Sequence, residues 1–295
     1  MPPPPPRPDE RLLAWARERI SAKSVRCDWA GHAHAESRVW RLALASGRVA
    51  YLKQHLRAGK FRQELRAYRA WQSALAHETP ELLAARDAAP RALLLASAPG
   101  LLAAKLAPLD VAEEARLYEA AGRFSRKLHG LPHADTDVLP LREAIRQRAD
   151  RILREGTRHV DAVTLERVGR RFRRALIDLL DAPRRVPCHR DYTPRNWLWD
   201  GARLTVIDFE HARPDYYLHD VARLYSEHWR ADARRAEAFW RGYGRAPTRA
   251  EGAYLRAYAA LQAVSTVEWA VRHGDRAFEA TGRDVLRVFA QAEPG

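Results

Sequence analysis

The chain has 295 residues, of which 46% are hydrophobic and 30% are charged, and its formal net charge is +14. This balance is typical of a globular protein and excludes wholesale disorder, while the length allows two lobes of ordinary size. Arginine supplies almost all of the positive charge and occurs in every segment, which favours coding bias over a dedicated nucleic-acid surface. We therefore expect no nucleic-acid partner.

The N-terminal segment opens with Met1 and a run of prolines, and we predict that residues 1–8 form a flexible tail. Prolines cannot form the apolar centre of an export signal, and no run approaches the ~18 apolar residues that span a bilayer. The two cysteines, Cys27 and Cys188, have neither a metal-type nor a redox-type spacing, which suits a reducing compartment. We expect a cytoplasmic protein without a membrane partner, present as a monomer or a homodimer.

The first hundred residues predict a small antiparallel sheet with two helices. Short alternating segments indicate strands, and Ser46-Gly47 supplies a hairpin turn. The predicted elements are a helix over 9–20, strands over 25–29, 38–44 and 48–56, a helix over 60–75, and strands over 81–86 and 91–96. Pro99-Gly100 ends the last strand and indicates a linker. We predict an N-terminal lobe over 9–98.

The remainder, 99–295, predicts a mostly helical C-terminal lobe. Apolar residues at helical spacing indicate helices over 111–128, 141–155 and 163–180, and a cluster of helices over 217–291. A stretch of loop and short strands between Val186 and Asp208 interrupts the helices, and it carries the strong chemical signals of this half.

A hairpin lies at the centre of that stretch. The apolar runs 197–199 and 204–207 are joined across Asp200-Gly201, a strong turn signal. Folding this hairpin returns Asp208 to the end where Asn196 leaves the preceding loop. A carboxylate and an amide oxygen would then meet, and both are ligands that Mg²⁺ accepts.

Asp191 lies five residues before Asn196 in the same loop. One carboxylate that deprotonates a hydroxyl, beside two ligands for a metal that carries nucleotide phosphates, is the minimal equipment for phosphoryl transfer. We predict Asp191 as the catalytic base and Asn196 and Asp208 as the magnesium ligands. In the rival interpretation these residues only cap a loop.

The run His189-Arg190-Asp191, followed by Asn196 and then by Asp208-Phe209-Glu210, resembles the catalytic loop and metal-binding segment of the protein-kinase-like superfamily. The likeness is greatest to aminoglycoside phosphotransferases and their choline kinase-like relatives, and it covers roughly residues 25–230. The resemblance implies an α+β, bilobal protein-kinase-like fold, with ATP or GTP and Mg²⁺ as cofactors. It gives Asp191, Asn196 and Asp208 the roles stated above.

The same resemblance implies further residues at the nucleotide. Lys53 would bind phosphates and pair with Glu64, although taken alone both are also readable as surface charges. The backbone of Ala96 and Ala98 would meet the base, as in the family's hinge. Gly31 would belong to the phosphate-covering loop, which is poor in glycine in this chain and also contains His32 and His34.

Asp220 resembles the residue that braces the catalytic loop of the family, with a plain N-cap as the alternative. Acceptor contacts are open, because several carboxylates and tryptophans of the second half are candidates. These are Glu210, Asp215, Glu227 and Glu268, with Trp229, Trp240 and Trp269.

We expect an ATP-dependent phosphotransferase that moves the γ-phosphate to a hydroxyl of a small molecule, either an aminoglycoside-like compound or another antibiotic or metabolite. No Ala-Pro-Glu segment follows the metal-binding segment, which favours a small-molecule acceptor over a protein. Two alternatives remain. One is a catalytically inactive, kinase-like nucleotide-binding module, and the other is a kinase of the choline, fructosamine or sugar type.

Overall fold

The structure is a computed structural model that describes residues 6–31, 37–133, 139–179 and 184–291. Residues 1–5 of the predicted tail, and His32 and His34, lie outside the described residues. Contacts between Cα atoms divide the chain into two compact units. The N-terminal unit runs to Pro108 and includes Pro194–Arg213, and the C-terminal unit consists of Leu109–Thr193 and Pro214–Gly295.

Strands are concentrated in the first hundred residues, and helices are concentrated after them. In chain order the elements are α1 (Glu10–Arg19), β1 (Val25–Trp29), β2 (Ser37–Leu44), β3 (Val49–His55), α2 (Ala58–Trp71), β4 (Leu82–Arg86), β5 (Ala92–Ala96), β6 (Leu101–Leu102), α3 (Val111–His129), α4 (Leu141–Gly156), α5 (Ala162–Asp178), β7 (Val186–Cys188), β8 (Trp197–Trp199), β9 (Leu204–Val206), β10 (Arg213–Asp215), α6 (Leu218–Leu224), α7 (Ala233–Tyr243), α8 (Arg249–His273) and α9 (Arg276–Gln291).

The N-terminal unit contains a five-stranded antiparallel sheet with the strand order β1-β2-β3-β5-β4. Alternate residues of β2 and β3 are buried, and Trp40 lies directly opposite Leu52. Helix α1 covers this face with Leu12 and Ala16. The buried side chains on one face of the strands and on one side of the helix therefore form a single apolar core. The indole Nε1 of Trp40 donates to the carbonyl of Pro6 at 2.8 Å.

A second, three-stranded sheet with the order β6-β8-β9 completes this unit. Strand β6 has only two residues, and Leu101 and Leu102 pair with Trp199 and Leu198 of β8. The predicted lobes over 9–98 and 99–295 follow the order of the chain, whereas the contacts group Pro194–Arg213 with the N-terminal unit. The lobe boundary stays a prediction.

The C-terminal unit is built mainly from helices. Helix α8 packs against α4, α5, α6 and α9, and because it is buried on most sides it is apolar around most of its circumference. Thr248 and Glu251 form a capping box that satisfies backbone amides at its first turn. The short strands β7 and β10 pair beside the helices.

These elements confirm the predicted α+β fold class, with an antiparallel sheet in the N-terminal region and helices in the C-terminal region. Each helix and strand predicted before residue 180 has a counterpart in the structure. The short strands β6, β7 and β10 and a π-helical turn over Tyr225–Trp229 were not predicted, because segments of two to five residues carry little periodicity. Within the described ranges, no helix combines the length and the apolar character needed to cross a bilayer.

Helices α3 and α7 approach each other so closely that glycine is required at their contact. A Cβ atom added to Gly242 would lie 1.9 Å from the carbonyl oxygen of Glu119, and one added to Gly122 would lie 2.0 Å from that of Phe239. Both neighbours are backbone atoms, which cannot move without displacing a helix. Close packing of this pair therefore depends on two positions without a side chain.

We expect Gly242→Ala to lower the free energy of unfolding by at least about 2 kcal/mol, because the added methyl group overpacks the contact. The matched control is Gly252→Ala in α8, where the nearest atom is a flexible Arg256 nitrogen at 3.6 Å. This change should leave stability unchanged or raise it by about 0.5–1 kcal/mol. Urea unfolding measures both, and equal effects of the two substitutions would contradict the close approach.

Candidate active site

A buried lysine gathers three carboxylates in the N-terminal unit. The side chain of Lys53, on β3, is 6% exposed. Its Nζ lies 2.7 Å from Oε2 of Glu64, 2.5 Å from Oδ1 of Asp208 and 3.3 Å from Oε2 of Glu210. A buried ammonium needs such partners, because removing a charge from water costs several kcal/mol. The predicted pairing of Lys53 with Glu64 is thus present, and the interpretation as surface charges is wrong for both residues.

The charge states of this cluster follow from its contacts. Burial alone would lower the pKa of Lys53, but the carboxylates of Asp208, Glu64 and Glu210 raise it well above its usual value. Burial would likewise raise the pKa of Glu64, whereas Lys53 and His55 lower it. Nε2 of His55 lies 3.1 Å from Oε2 of Glu64, so this carboxylate contacts two basic groups. Lys53 is protonated and Glu64 is ionised.

The predicted hairpin is present and joins the two predicted metal ligands. Trp197 of β8 lies opposite Val206 of β9, and the amide of Ile207 donates to the carbonyl of Asn196 at 2.9 Å. Asn196 and Asp208 therefore flank the open end of the same hairpin. Asn196 is buried, and the side chain of Asp208 is 35% exposed.

The donors around Asp208 fit a divalent cation. Three carboxylates contact the ammonium of Lys53, and two of them have a further basic neighbour: His55 lies beside Glu64 and His211 beside Glu210. Partial burial raises the pKa of Asp208, and the carboxylates of Glu210 and Glu64 raise it further against the effect of Lys53. Carboxylate and amide oxygens are the ligands that Mg²⁺ prefers. Their role as magnesium ligands stays a prediction.

Asp208 has a left-handed backbone, with φ 69° and ψ 65°. This conformation costs an L-residue about 1–2 kcal/mol, and Asp tolerates it better than most residues. The turn directs the amide of Phe209 to Oε1 of Glu64 at 3.2 Å and packs its ring edge-on against Tyr68. These contacts offset the strain and fix the orientation of Asp208.

The loop that contains Asp191 is anchored within the C-terminal unit. Asp220, on α6, accepts hydrogen bonds from the amides of His189 at 2.9 Å and Arg190 at 2.6 Å. Its Oδ2 also lies 3.1 Å from Nε2 of His129. The prediction that Asp220 braces the catalytic loop is confirmed, and the interpretation as a plain N-cap is wrong.

Arg190 occupies a backbone conformation that usually favours glycine, with φ 69°. Its guanidinium is buried, where Nε lies 3.4 Å from Oδ2 of Asp215 and both terminal nitrogens lie 3.4 Å from the hydroxyl of Tyr258. The side chain thus gains an ion pair that glycine would lack. This pair fixes the residue next to Asp191.

A match to a family model now establishes the family. The profile of the phosphotransferase enzyme family (APH) matches residues 28–258, which is more than half of the chain. The chain belongs to the phosphotransferase enzyme family. It is a small-molecule kinase with a protein-kinase-like fold, as the sequence motifs indicated.

Solved structures with low sequence identity share this fold. A thermostable mutant of aminoglycoside phosphotransferase APH(4)-Ia is 19% identical, with a TM-score of 0.74 over 96% of this chain and 98% of its own. The GDP and kanamycin complex of APH(2")-IIia is 14% identical, with a TM-score of 0.73 over 96% and 99% of the two chains. Macrolide 2'-phosphotransferase type I is 18% identical, with a TM-score of 0.67 over 94% and 96%. A search among curated proteins found no match.

Three residues were predicted to contact the nucleotide base or to belong to the phosphate-covering loop: Ala96, Ala98 and Gly31. The amide of Ala96 donates to the carbonyl of Glu81 at 2.8 Å, so it cannot bind a base without losing that bond. The backbone of Ala98 makes no hydrogen bond to other backbone among the residues that the structure describes. Gly31 lies at the edge of the described range, since residues 32–36 are outside it. All three assignments stay predictions.

Several candidates for contacts with the phosphotransferase acceptor have other partners. Glu210 belongs to the Lys53 cluster, and Asp215 is buried against Arg148 and Arg190. Trp229 is buried, with its ring centroid 5.1 Å from that of Phe239, and belongs to the core. Neither carboxylate nor this tryptophan forms an acceptor surface, because each is packed into its own unit.

The sequence alone did not predict the contacts of Arg223 with Asp191 or of His219 with Asp215. Arg223, on α6, donates from Nη1 to Oδ1 of Asp191. His219 is buried, where its Nδ1 donates to Oδ1 of Asp215 at 2.9 Å and its Nε2 accepts from the hydroxyl of Tyr254 at 2.7 Å. A neutral imidazole satisfies both bonds, because an ionised carboxylate can only accept. Both residues follow Tyr217 on a short helix, but no spacing rule links either one to its partner.

His219 makes the stability of the enzyme depend on pH. Burial lowers the pKa of His219 to about 4, against the effect of Asp215, while the unfolded chain has the ordinary value of 6.5. The unfolded state therefore binds more protons between these values, and stability is lost as pH falls through this window.

We expect the free energy of unfolding to fall by about 2 kcal/mol more in the wild type than in His219→Gln between pH 7 and pH 5, because the variant lacks this titration. Urea unfolding at both pH values measures the difference. If the free energy of unfolding changed equally with pH in both proteins, the pKa of His219 would not be lowered in the folded state.

Proposed function

We propose that this phosphotransferase moves the γ-phosphate of ATP, or of GTP, to a hydroxyl of a small molecule with Mg²⁺ as cofactor. The observation that carries the proposal is the Lys53 cluster, in which one buried ammonium contacts Glu64 and Asp208 at 2.7 Å and 2.5 Å. Phosphoryl transfer depends on positioning and on charge neutralisation, and these groups supply both.

The proposed roles follow from the chemistry of each side chain. Lys53 binds nucleotide phosphates, and Glu64 holds its ammonium in place. Asn196 and Asp208 hold Mg²⁺, which when bound neutralises charge on the phosphates. Asp191 accepts the proton of the acceptor hydroxyl while the hydroxyl oxygen forms the new bond to the γ-phosphorus. The bond between this phosphorus and the bridging oxygen breaks, and the nucleoside diphosphate leaves.

The acceptor in this proposal is an antibiotic or a similar hydroxylated metabolite. The solved structures with this fold include complexes with kanamycin and with hygromycin B, as well as a macrolide phosphotransferase, which supports an antibiotic and a role in resistance. Kinases of the choline, fructosamine or sugar type share the same motifs and stay alternatives. We further propose a cytoplasmic monomer or homodimer that binds neither nucleic acid nor membrane.

We expect Asp191→Ala to reduce turnover by about 100-fold or more, since general base catalysis contributes about that much, while nucleotide binding persists. Asp208→Ala should lose both turnover and magnesium-dependent nucleotide binding. A coupled assay for ADP, run against hydroxylated antibiotics, amino sugars and nucleosides with mass spectrometry of the product, measures turnover and locates the phosphate.

Asp178→Ala is the control for these substitutions, because Asp178 forms an exposed pair with Arg174 on α5. It should behave as the wild type. Wild-type turnover in Asp191→Ala would exclude Asp191 as the base. Nucleotide binding without transfer to any acceptor would favour the inactive binding module.

A further inference from the structure

Arg223 holds the carboxylate of Asp191 from within the C-terminal unit. Its Nη1 donates to Oδ1 of Asp191, and its Nε donates to Oε1 of Glu227 at 2.9 Å. The guanidinium carbon lies 5.5 Å from the ring centroid of Phe278 on α9. Two carboxylates and one aromatic ring therefore fix the guanidinium.

These contacts distinguish Arg223 from an ordinary pair on a helix surface. The pair with Glu227 alone has the i,i+4 spacing that contributes little when exposed. Burial alone would lower the pKa of Arg223, but Asp191 and Glu227 raise it, so the positive charge persists. The planar guanidinium also fixes the direction of its hydrogen bonds more rigidly than an ammonium would. Arg223 thus restrains the carboxylate of Asp191.

The carboxylates that the sequence offered to a cationic acceptor are already paired with basic side chains. Each has a basic nitrogen within 3.3 Å. The pairs are Glu210 with Lys53, Asp215 with Arg148, Glu227 with Arg223, and Glu268 with Arg272. A ligand that bound one of these four carboxylates would have to break an existing pair.

The surface next to Arg223 is aromatic. Phe278 contacts Arg223 and lies edge-on to Trp269 of α8, with ring centroids 5.8 Å apart. Trp269 in turn stacks on His273 at 4.1 Å. Both Phe278 and Trp269 are half-buried, so part of each ring is open to solvent.

We propose that Arg223 is a positioning residue for Asp191: its guanidinium holds the carboxylate in the orientation that accepts the proton of the acceptor hydroxyl. The inference rests on the proposed phosphotransfer. It adds that Glu227 and Phe278 act on the base through Arg223.

The positioning role is tested with water as the acceptor, by magnesium-dependent ATP hydrolysis. Arg223→Gln should lower kcat by about 100-fold, because a misplaced base loses about that factor, and should leave KM for ATP unchanged. Arg223→Lys keeps the charge and should recover part of the loss. Arg174→Gln is the matched control, since Arg174 also pairs with an acid four residues on, and it should match the wild type.

Distinct results overturn the inference and the proposed function. Arg223→Gln with a kcat within about threefold of the wild type, or Arg223→Lys no faster than Arg223→Gln, would exclude the positioning role. A wild type that neither hydrolyses ATP nor transfers phosphate to any compound would instead overturn the proposed function.

Discussion

One buried ammonium ties together three stretches of the N-terminal unit that are far apart in sequence. Lys53 on β3, Glu64 on α2 and the turn that begins at Asp208 meet with nitrogen–oxygen distances of 2.5 Å and 2.7 Å. Breaking the buried pair of Lys53 with Glu64 costs about 3–5 kcal/mol, so neither partner can be lost without weakening the fold. Asp208 belongs to the same cluster but is 35% exposed. In the proposed function this carboxylate also holds the divalent cation.

The C-terminal unit holds Asp191, the proposed base, by a different set of contacts. Asp220 accepts hydrogen bonds from two backbone amides of the loop that contains Asp191, while Asp215 pairs with the left-handed Arg190. Arg223 then restrains the side chain of Asp191 itself. Backbone and side chain of the base are thus fixed by separate residues. Substitution of Asp220 or Asp215, which fix the backbone, should disturb folding. Substitution of Arg223, which fixes the side chain, should disturb the proposed chemistry.

The sequence predicted those parts of the fold and site that depend on local patterns. The hairpin that links Asn196 to Asp208 was predictable because a turn dipeptide joins two apolar runs, and the pairing of Lys53 with Glu64 followed from a family resemblance. The pair of Arg223 with Asp191 was not predictable, because a chain with arginine in every segment offers many equivalent partners. Nor could the sequence show that β8 and β9 group with the N-terminal unit, since β6, which pairs with β8, has only two residues.

Asn196 and Asp208 are proposed to form one divalent-cation site, on which the proposed chemistry depends. The most direct measurement is an anomalous difference map from crystals grown with Mn²⁺ and a non-hydrolysable ATP analogue. A single metal peak within about 2.5 Å of the amide oxygen of Asn196 and a carboxylate oxygen of Asp208 is the predicted result. A metal bound to the nucleotide but beyond coordination distance of both side chains would contradict it.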